Sequence, residues 1–204
     1  MRKKMLMTGW LLLLSATVAC LFWYNEWKYQ LPTPVPSDYK AVCTGTTIAL
    51  TDPTLKLHHR PVLIHFFNPS CPCSRFNIST LASLVQQYRS RVDFAVVLVT
   101  GNSTYSDHDF ELRYGLHVPV LHDTTLARRC GVYSTPQAVI LDQNNRLYYR
   151  GNYNSSRYCI NETTSFARIA LDSVLRQVPS PSFAIAATRS YGCSLVSCAK
   201  PTNP

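Results

Sequence analysis

The chain has 204 residues, enough for one domain of ordinary size together with an anchor or a tail. Its hydrophobic fraction of 46% and its charged fraction of only 15% exclude a largely disordered chain. The net charge is +9, but the basic residues are scattered except for a cluster at the N-terminus, and no Lys/Arg-rich stretch alternates with aromatic residues. The composition therefore argues against a nucleic-acid partner.

The first element in the chain is a candidate membrane helix. Basic residues at positions 2–4 precede an apolar stretch over residues 5–24, about the length that a helix needs to cross a bilayer. Aromatic side chains follow at the position typical of a membrane interface, namely Trp23, Tyr24 and Trp27. We predict an anchor at residues 1–27 that crosses an inner membrane once, with a cytoplasmic N-terminus and a periplasmic domain.

Two other interpretations of this segment stay open. Residues 17–20 resemble a lipoprotein processing site around Cys20, although Thr17 stands where a leucine is usual and the apolar run continues beyond the cysteine. A cleaved signal peptide is the other interpretation, but such a peptide has a shorter apolar core than this segment.

The remaining segments alternate in predicted type. Residues 28–40 are a proline-rich linker, which favours an extended spacer, and residues 179–204 are a cysteine-containing tail, either packed or in a loop. The domain at residues 41–178 is predicted to contain strands at 43–50, 61–67, 92–99, 118–121, 137–142 and 146–150, and helices at 71–89, 106–115, 123–130 and 163–177. This alternation predicts an α/β layer structure with a mixed sheet.

Eight cysteines in an exported chain indicate disulfides. Cys20 lies in the apolar segment, which leaves an odd number, so one thiol stays free or changes partner. Cys43 and Cys159 are candidates for a stabilising disulfide, and Cys130 is predicted to be a buried thiol that packs as a small hydrophobic residue.

The most informative segment is the junction between the strand at 61–67 and the helix that follows it. Cys71 and Cys73 lie at this junction, after a nearly continuous apolar run of the kind that is covered on both faces. The N-terminus of a helix stabilises negative charge and thus favours thiolate over thiol. The junction therefore predicts sulfur chemistry.

Three local sequences resemble the thioredoxin superfamily, and specifically its exported, membrane-anchored redoxin (AhpC/TSA-type) branch, here with a Cys-Pro-Cys motif. They are Phe66-Phe67-Asn68-Pro69-Ser70-Cys71-Pro72-Cys73, Val118-Pro119-Val120-Leu121-His122-Asp123, and Gly131-Val132-Tyr133-Ser134-Thr135-Pro136 with the strand after it. The resemblance implies a thioredoxin-like three-layer fold with a central mixed sheet. It also implies that Pro136 follows a cis peptide bond and faces Cys71, and that Thr135 offers its backbone to an incoming peptide.

The cysteine spacing departs from this family. Two residues on, Cys73 lies about 200° round a regular helix from Cys71, whereas the family's Cys-x-x-Cys places the second thiol about 300° round, beside the first. Ser74 occupies the position of the family's resolving cysteine. Three outcomes stay open: a small Cys71–Cys73 ring, Cys71 assisted by Ser74 and resolved by Cys193 or Cys198 in the tail, or no redox cycle.

The leading hypothesis is a thiol–disulfide oxidoreductase that acts on protein thiols or disulfides and uses no cofactor or metal. A thiol peroxidase is one alternative, with Arg75 or Arg150 to polarise the peroxide, although Asn68 stands where such enzymes have Thr or Ser. A copper-delivery protein is another, because two thiolates near a histidine suit Cu(I), with candidates His65, His117 and His122. A redox-inactive thioredoxin-like protein is the third.

Overall fold

The structure is a computed structural model that describes residues 2–55, 58–99, 105–156, 161–179 and 182–195. The strands are β1 (Val62–Phe67), β2 (Asp93–Leu98), β3 (Val120–Leu121), β4 (Ser134–Thr135), β5 (Gln137–Leu141), β6 (Leu147–Gly151) and β7 (Cys193–Ser194). The helices are α1 (Arg2–Gln30), α2 (Pro72–Tyr88), α3 (Asp107–Tyr114), α4 (Thr124–Cys130), α5 (Phe166–Leu175) and α6 (Ile185–Thr188).

The central sheet is mixed and has the strand order β3-β2-β1-β5-β6. β1 runs parallel to β2 and antiparallel to β5, and β6 completes an antiparallel hairpin with β5. All six residues of β1 are buried, as its continuous apolar run predicts for a central strand. A parallel β1–α2–β2 unit joined to an antiparallel hairpin is the thioredoxin-like arrangement, so the predicted fold class is confirmed.

Helices cover both faces of the sheet. α2 and α5 supply Leu81 and Leu171 to one buried cluster, which includes Leu63 and Phe67 of β1. α4 supplies Leu126 to the cluster on the other face, where Ile64 and Phe66 lie. The three layers follow from the alternation of side chains along β1, since successive residues point to opposite faces.

Two predicted elements differ in the structure. The strand expected at 43–50 is instead a turn followed by a single β-bridge between Thr47 and Arg146. Only a few backbone groups of this segment form hydrogen bonds with the β5–β6 hairpin, too few for a regular strand. The helix expected at 163–177 begins as a 3₁₀ turn, Glu162–Thr164, before α5. Asn161 is the N-cap of this 3₁₀ turn, and its side chain accepts a hydrogen bond from the Thr163 N–H at 3.0 Å.

α1 carries a stretch, Arg2–Trp27, that is long and apolar enough to cross a membrane. The helix continues to Gln30, and the segment predicted as a spacer contacts the domain from Pro32, which forms an antiparallel bridge with Tyr191. Thr33 extends this pairing, since its N–H donates to the Ser190 carbonyl at 2.9 Å. The path from α1 to the domain is therefore short.

Residues 182–195, which we call the arm, pack against the domain. Ala187 and Ser190 are buried, and the Asn152 side chain donates to the carbonyls of Ala186 at 2.9 Å and Arg189 at 2.7 Å. β7 closes the arm by pairing with β4. Cys198 and Cys159 lie outside the described residues.

Candidate functional site

Cys71 lies where β1 gives way to α2. The Asn68 side chain accepts from the Ser70 N–H at 2.9 Å, and the Cys71 N–H donates to the Asn68 carbonyl at 3.0 Å, so the chain turns sharply here. Pro72 then begins α2, with a fixed φ suited to the first helical position. Cys71 is thus the residue that precedes the first helical turn, with extended backbone angles (φ −90°, ψ 117°).

Cys71 forms a disulfide with Cys193 of the arm. The two Cα atoms are 6.1 Å apart, within the usual range for a disulfide, and 122 residues separate them in sequence. Cys71 is only 1% exposed, whereas Cys193 is partly exposed. The structure therefore brings one of the two predicted tail cysteines to the predicted junction.

The Thr135–Pro136 loop, which joins β4 to β5, contacts this disulfide. The Thr135–Pro136 peptide bond is cis, as the resemblance implies, and Pro136 is buried. The Thr135 carbonyl oxygen lies 3.5 Å from the Cys71 sulfur. In the disulfide this sulfur carries no proton, so the approach is a contact, and in a reduced protein a thiol there can donate to the same oxygen.

The arm pairs with this loop as a short antiparallel strand. Thr135 faces Cys193 and Ser134 faces Ser194, and the Leu195 N–H extends the pairing to the Tyr133 carbonyl at 2.9 Å. The loop backbone that the resemblance assigns to an incoming peptide is thus paired with the chain's own C-terminal segment.

Gly192 permits this close pairing. Its φ is +109°, and a Cβ at this position would lie 2.2 Å from the Thr135 carbonyl oxygen. Only glycine fits such a contact in such a conformation. Sequence reasoning missed Gly192, and the sole signal for it was a glycine directly before a tail cysteine.

Cys73 and Ser74, the junction residues to which the sequence assigned further roles, are fully buried. Cys73 lies in the first turn of α2, and its carbonyl accepts from the Asn77 side chain at 2.9 Å. The Ser74 hydroxyl oxygen accepts from the Asn68 N–H at 3.3 Å, which ties α2 to the turn. The functional roles assigned to Cys73 and Ser74 from sequence stay predictions.

The candidate histidines have separate environments. His65 is completely buried in β1, where its Nδ1 lies 2.7 Å from the Tyr153 hydroxyl, and burial lowers its pKa to about 3. His122 and His117 are exposed and pair with Asp107 and Glu111 of α3, respectively. Within the described ranges, no three His, Cys, Asp or Glu side chains come together to hold a metal ion.

The arginines proposed for a peroxidase site are also placed. Arg150 donates to the carbonyls of Val42 at 2.9 Å and Cys130 at 3.1 Å, a structural role beneath the sheet edge. Arg75 is exposed on α2. Cys130 is buried as predicted, and burial raises the pKa of its thiol to about 12.

A family model described as "Domain of unknown function (DUF6436)" matches residues 43–195. The chain belongs to this family. The matched region spans most of the chain and contains Cys71 near its start and Cys193 near its end, so the DUF6436 domain includes the arm as far as Leu195. A comparison with curated proteins gives no match.

Solved structures resemble this DUF6436 domain. An uncharacterized conserved protein from Geobacillus kaustophilus has a TM-score of 0.61 and 23% identity, covering 80% of this chain and 97% of that chain. A hypothetical protein from Sinorhizobium meliloti 1021 has a TM-score of 0.60 and 18% identity, covering 77% and 96%. These two show the fold alone. A secreted disulfide oxidoreductase from Mycobacterium tuberculosis, described as homologous to E. coli DsbE, has a TM-score of 0.43 and 18% identity, covering 60% and 84%.

Proposed function

We propose that this DUF6436 protein is a thiol–disulfide oxidoreductase whose redox pair is Cys71 and Cys193. The observation that carries the proposal is the disulfide between them, held at the strand–helix junction against the Thr135–Pro136 loop. Its substrates are protein thiols or disulfides. It is anchored by α1 in an inner membrane, with the N-terminus in the cytoplasm and the domain in the periplasm.

The pair performs a balanced two-electron exchange. In the reduced protein, one site thiolate attacks a substrate disulfide, and one substrate sulfur leaves as a thiolate. The second site thiolate then attacks the resulting mixed disulfide. This step releases the other substrate sulfur and forms the Cys71–Cys193 bond, so the substrate is reduced as the site is oxidised.

Two neighbours act on a reduced Cys71 in opposite directions. The N-terminus of the 17-residue helix α2 places its partial positive charge beside the sulfur and stabilises a thiolate. The Thr135 carbonyl, 3.5 Å from the sulfur, stabilises the protonated thiol that can donate to it. Movement of the arm and of this loop therefore changes how readily Cys71 reacts.

A substrate polypeptide competes with the arm for the same backbone. β7 uses the antiparallel edge of β4 directly beside the disulfide, and an extended substrate segment has the same hydrogen-bonding groups to offer. An extended substrate segment can therefore pair with β4 only after β7 has left it. The disulfide opposes this movement of β7, and reduction of the disulfide allows it.

Turnover tests the proposal. The full chain in detergent micelles is given dithiothreitol and a peptide pair whose joining disulfide, when cleaved, separates a fluorophore from a quencher. We expect Cys71→Ser and Cys193→Ser each to lower the rate at least about ten-fold, whereas Cys43→Ser, at an exposed cysteine outside the pair, retains it. A wild-type rate equal to that of Cys71→Ser contradicts the proposal.

The proposed location has its own test. A membrane-impermeant maleimide added to intact cells or spheroplasts is expected to label the exposed Cys43 from the periplasmic side, and the protein is expected to stay in the membrane fraction after alkaline washing. Labelling only after cell lysis contradicts the proposed orientation, and release by the wash contradicts the anchor.

A further inference from the structure

Cys71 and Cys193 differ in solvent exposure, and therefore in how easily the thiolate of another molecule can approach them. Exchange requires a thiolate to approach one sulfur from the side opposite its bonded partner, so access to each sulfur decides where attack occurs. Cys71 is 1% exposed, the Thr135 carbonyl lies 3.5 Å from its sulfur, and its bonded partner Cys193 belongs to β7. Cys193 is partly exposed, between Gly192, which has no side chain, and the exposed Ser194.

We infer that Cys193, in the arm, is the sulfur that an external thiolate attacks when the oxidised protein accepts electrons, so the first mixed disulfide forms on the arm. This inference rests on the proposed function and assigns the order of events within it. It reverses the assignment that the resemblance to thioredoxins implies, in which the cysteine at the start of the helix is the point of contact with partners.

The step balances as follows. The thiolate of the reductant forms a bond to the Cys193 sulfur, the Cys193–Cys71 bond breaks, and its electron pair leaves on the Cys71 sulfur. A second thiolate of the reductant then attacks its own sulfur in the mixed disulfide and releases Cys193 as a thiolate. The reductant is oxidised to a disulfide and both site cysteines are reduced.

Attack at Cys193 breaks the S–S bond and none of the backbone hydrogen bonds that hold the arm. The pairing of β7 with Thr135 and the bond from the Leu195 N–H to the Tyr133 carbonyl are made by backbone groups and not by the sulfurs. The leaving sulfur of Cys71 remains at the start of α2, where the helix stabilises its negative charge. Cys71 is only 1% exposed, so attack there instead requires the residues packed around it to open.

The arm also determines what becomes of Cys71. While β7 stays on β4, the Cys71 thiolate is shielded from substrates. As long as Cys193 still carries the sulfur of the reductant, the Cys71 thiolate can attack the Cys193 sulfur, which renews the Cys71–Cys193 bond and releases the reductant as a thiolate. When β7 leaves, Cys71 becomes accessible to a substrate. One cysteine therefore receives electrons and the other passes them on.

Trapping of the mixed disulfide tests the inference. The oxidised full-length protein in micelles is mixed briefly with reduced glutathione, quenched with acid, alkylated, digested and mapped by mass spectrometry. We expect glutathione on Cys193 and the alkyl group on Cys71, in at least about ten-fold excess over the reverse arrangement. Equal amounts, or a majority of glutathione on Cys71, overturn the inference. A disulfide that no concentration of glutathione or dithiothreitol reduces contradicts the proposed function itself.

A second measurement compares the accessibility of the two thiols directly, without a mixed disulfide in which glutathione could move from one cysteine to the other. Iodoacetamide is reacted with Cys193 in Cys71→Ser and with Cys71 in Cys193→Ser, and rates are compared at the pH where each thiol is fully ionised. We expect Cys71 to react at least about ten-fold more slowly. Adding Gly192→Ala, which displaces β7, is expected to accelerate Cys71, whereas adding Gly45→Ala, which has open space around it, is not. Fast alkylation of Cys71 under the docked arm overturns the inference.

Discussion

The Thr33 hydroxyl donates a hydrogen bond to the Gly192 carbonyl, with 3.2 Å between the two oxygens. Thr33 follows the end of α1 by three residues, and Gly192 directly precedes the disulfide-bonded Cys193. The segment that leaves the candidate membrane helix therefore lies alongside the arm. From the chain path, the Cys193 Cα lies at most roughly 30 Å from the end of the apolar span at Trp27.

This hydrogen bond is predicted to stabilise the arm. Thr33 is 6% exposed, and Thr33→Val removes its hydroxyl while keeping its shape. We expect the free energy of unfolding to fall by about 1 kcal/mol and the amides of residues 190–195 to exchange faster. Urea unfolding and hydrogen exchange of the full chain in micelles measure these changes. Thr51→Val, at an exposed threonine, is the control, and an equal effect of both variants contradicts the prediction.

Gly192→Ala is predicted to separate β7 from β4. The added Cβ would meet the Thr135 carbonyl at 2.2 Å in a backbone with φ of +109°. We expect a loss of more than about 1 kcal/mol in stability and a disulfide that dithiothreitol reduces faster, because displacement of the arm opens both sulfurs to attack. The measurements are thermal unfolding and reduction kinetics.

Gly45→Ala is the matched control for that variant. Gly45 also has a positive φ, +85°, but nothing lies within 4 Å of its missing Cβ. Both variants carry the cost of the backbone conformation, so the difference between them reports the contact with Thr135. If Gly45→Ala matches Gly192→Ala in both measurements, the close approach does not hold the arm.

The cysteines outside the disulfide are predicted to differ in reactivity. Burial raises the pKa of Cys130 to about 12, so this thiol is almost entirely protonated at pH 8 and is also inaccessible. Cys43 is exposed. We expect iodoacetamide to modify Cys43 in the native protein and Cys130 only after unfolding in urea, as measured by intact mass and peptide mapping. Rapid native alkylation of Cys130 would show that the cluster around α4 opens readily.

The strand–helix junction was predictable because each of its parts has a local cause. The continuous apolar run of β1 is what a central strand requires, and Pro72 favours the start of a helix directly after Cys71. The loop at Thr135 and Pro136 was identified by resemblance, which also implied the cis bond. These residues lie close to one another in sequence or share a motif, so pattern alone was sufficient.

The partner of Cys71 could not be singled out in the same way. Cys193 lies 122 residues away, in a strand of two residues that is too short to show any periodicity. Its docking depends on Gly192, Thr33 and the Thr135 backbone together, and none of these residues alone predicts from the sequence that the arm docks here. For this reason the sequence left Cys193 and Cys198 as equal candidates.

His65 is predicted to make the protein sensitive to acid. Its pKa in the folded protein is about 3 because burial opposes the charged form, against about 6.5 in an unfolded chain. An imidazolium there would be desolvated, and its Nε2 has no hydrogen-bond partner among the described residues. The unfolded state thus binds a proton that the folded state does not, and stability falls as the pH decreases from about 6.5 towards 3, by up to about 1.4 kcal/mol per pH unit.

The variant His65→Gln removes this proton linkage and keeps a polar side chain near the Tyr153 hydroxyl, which lies 2.7 Å from Nδ1 of His65. It is expected to be less stable than the wild type at pH 7.5, through imperfect packing, and to lose less stability on acidification. Urea unfolding of the full chain at pH 7.5, 6, 5 and 4 measures the two slopes, with His108→Gln, at an exposed histidine, as the control. The wild type and His65→Gln share all other titratable groups, so the difference between their slopes isolates His65. Parallel curves for the wild type and His65→Gln would mean that His65 is protonated in the folded protein, and that the β1 interior admits a charge beside Tyr153.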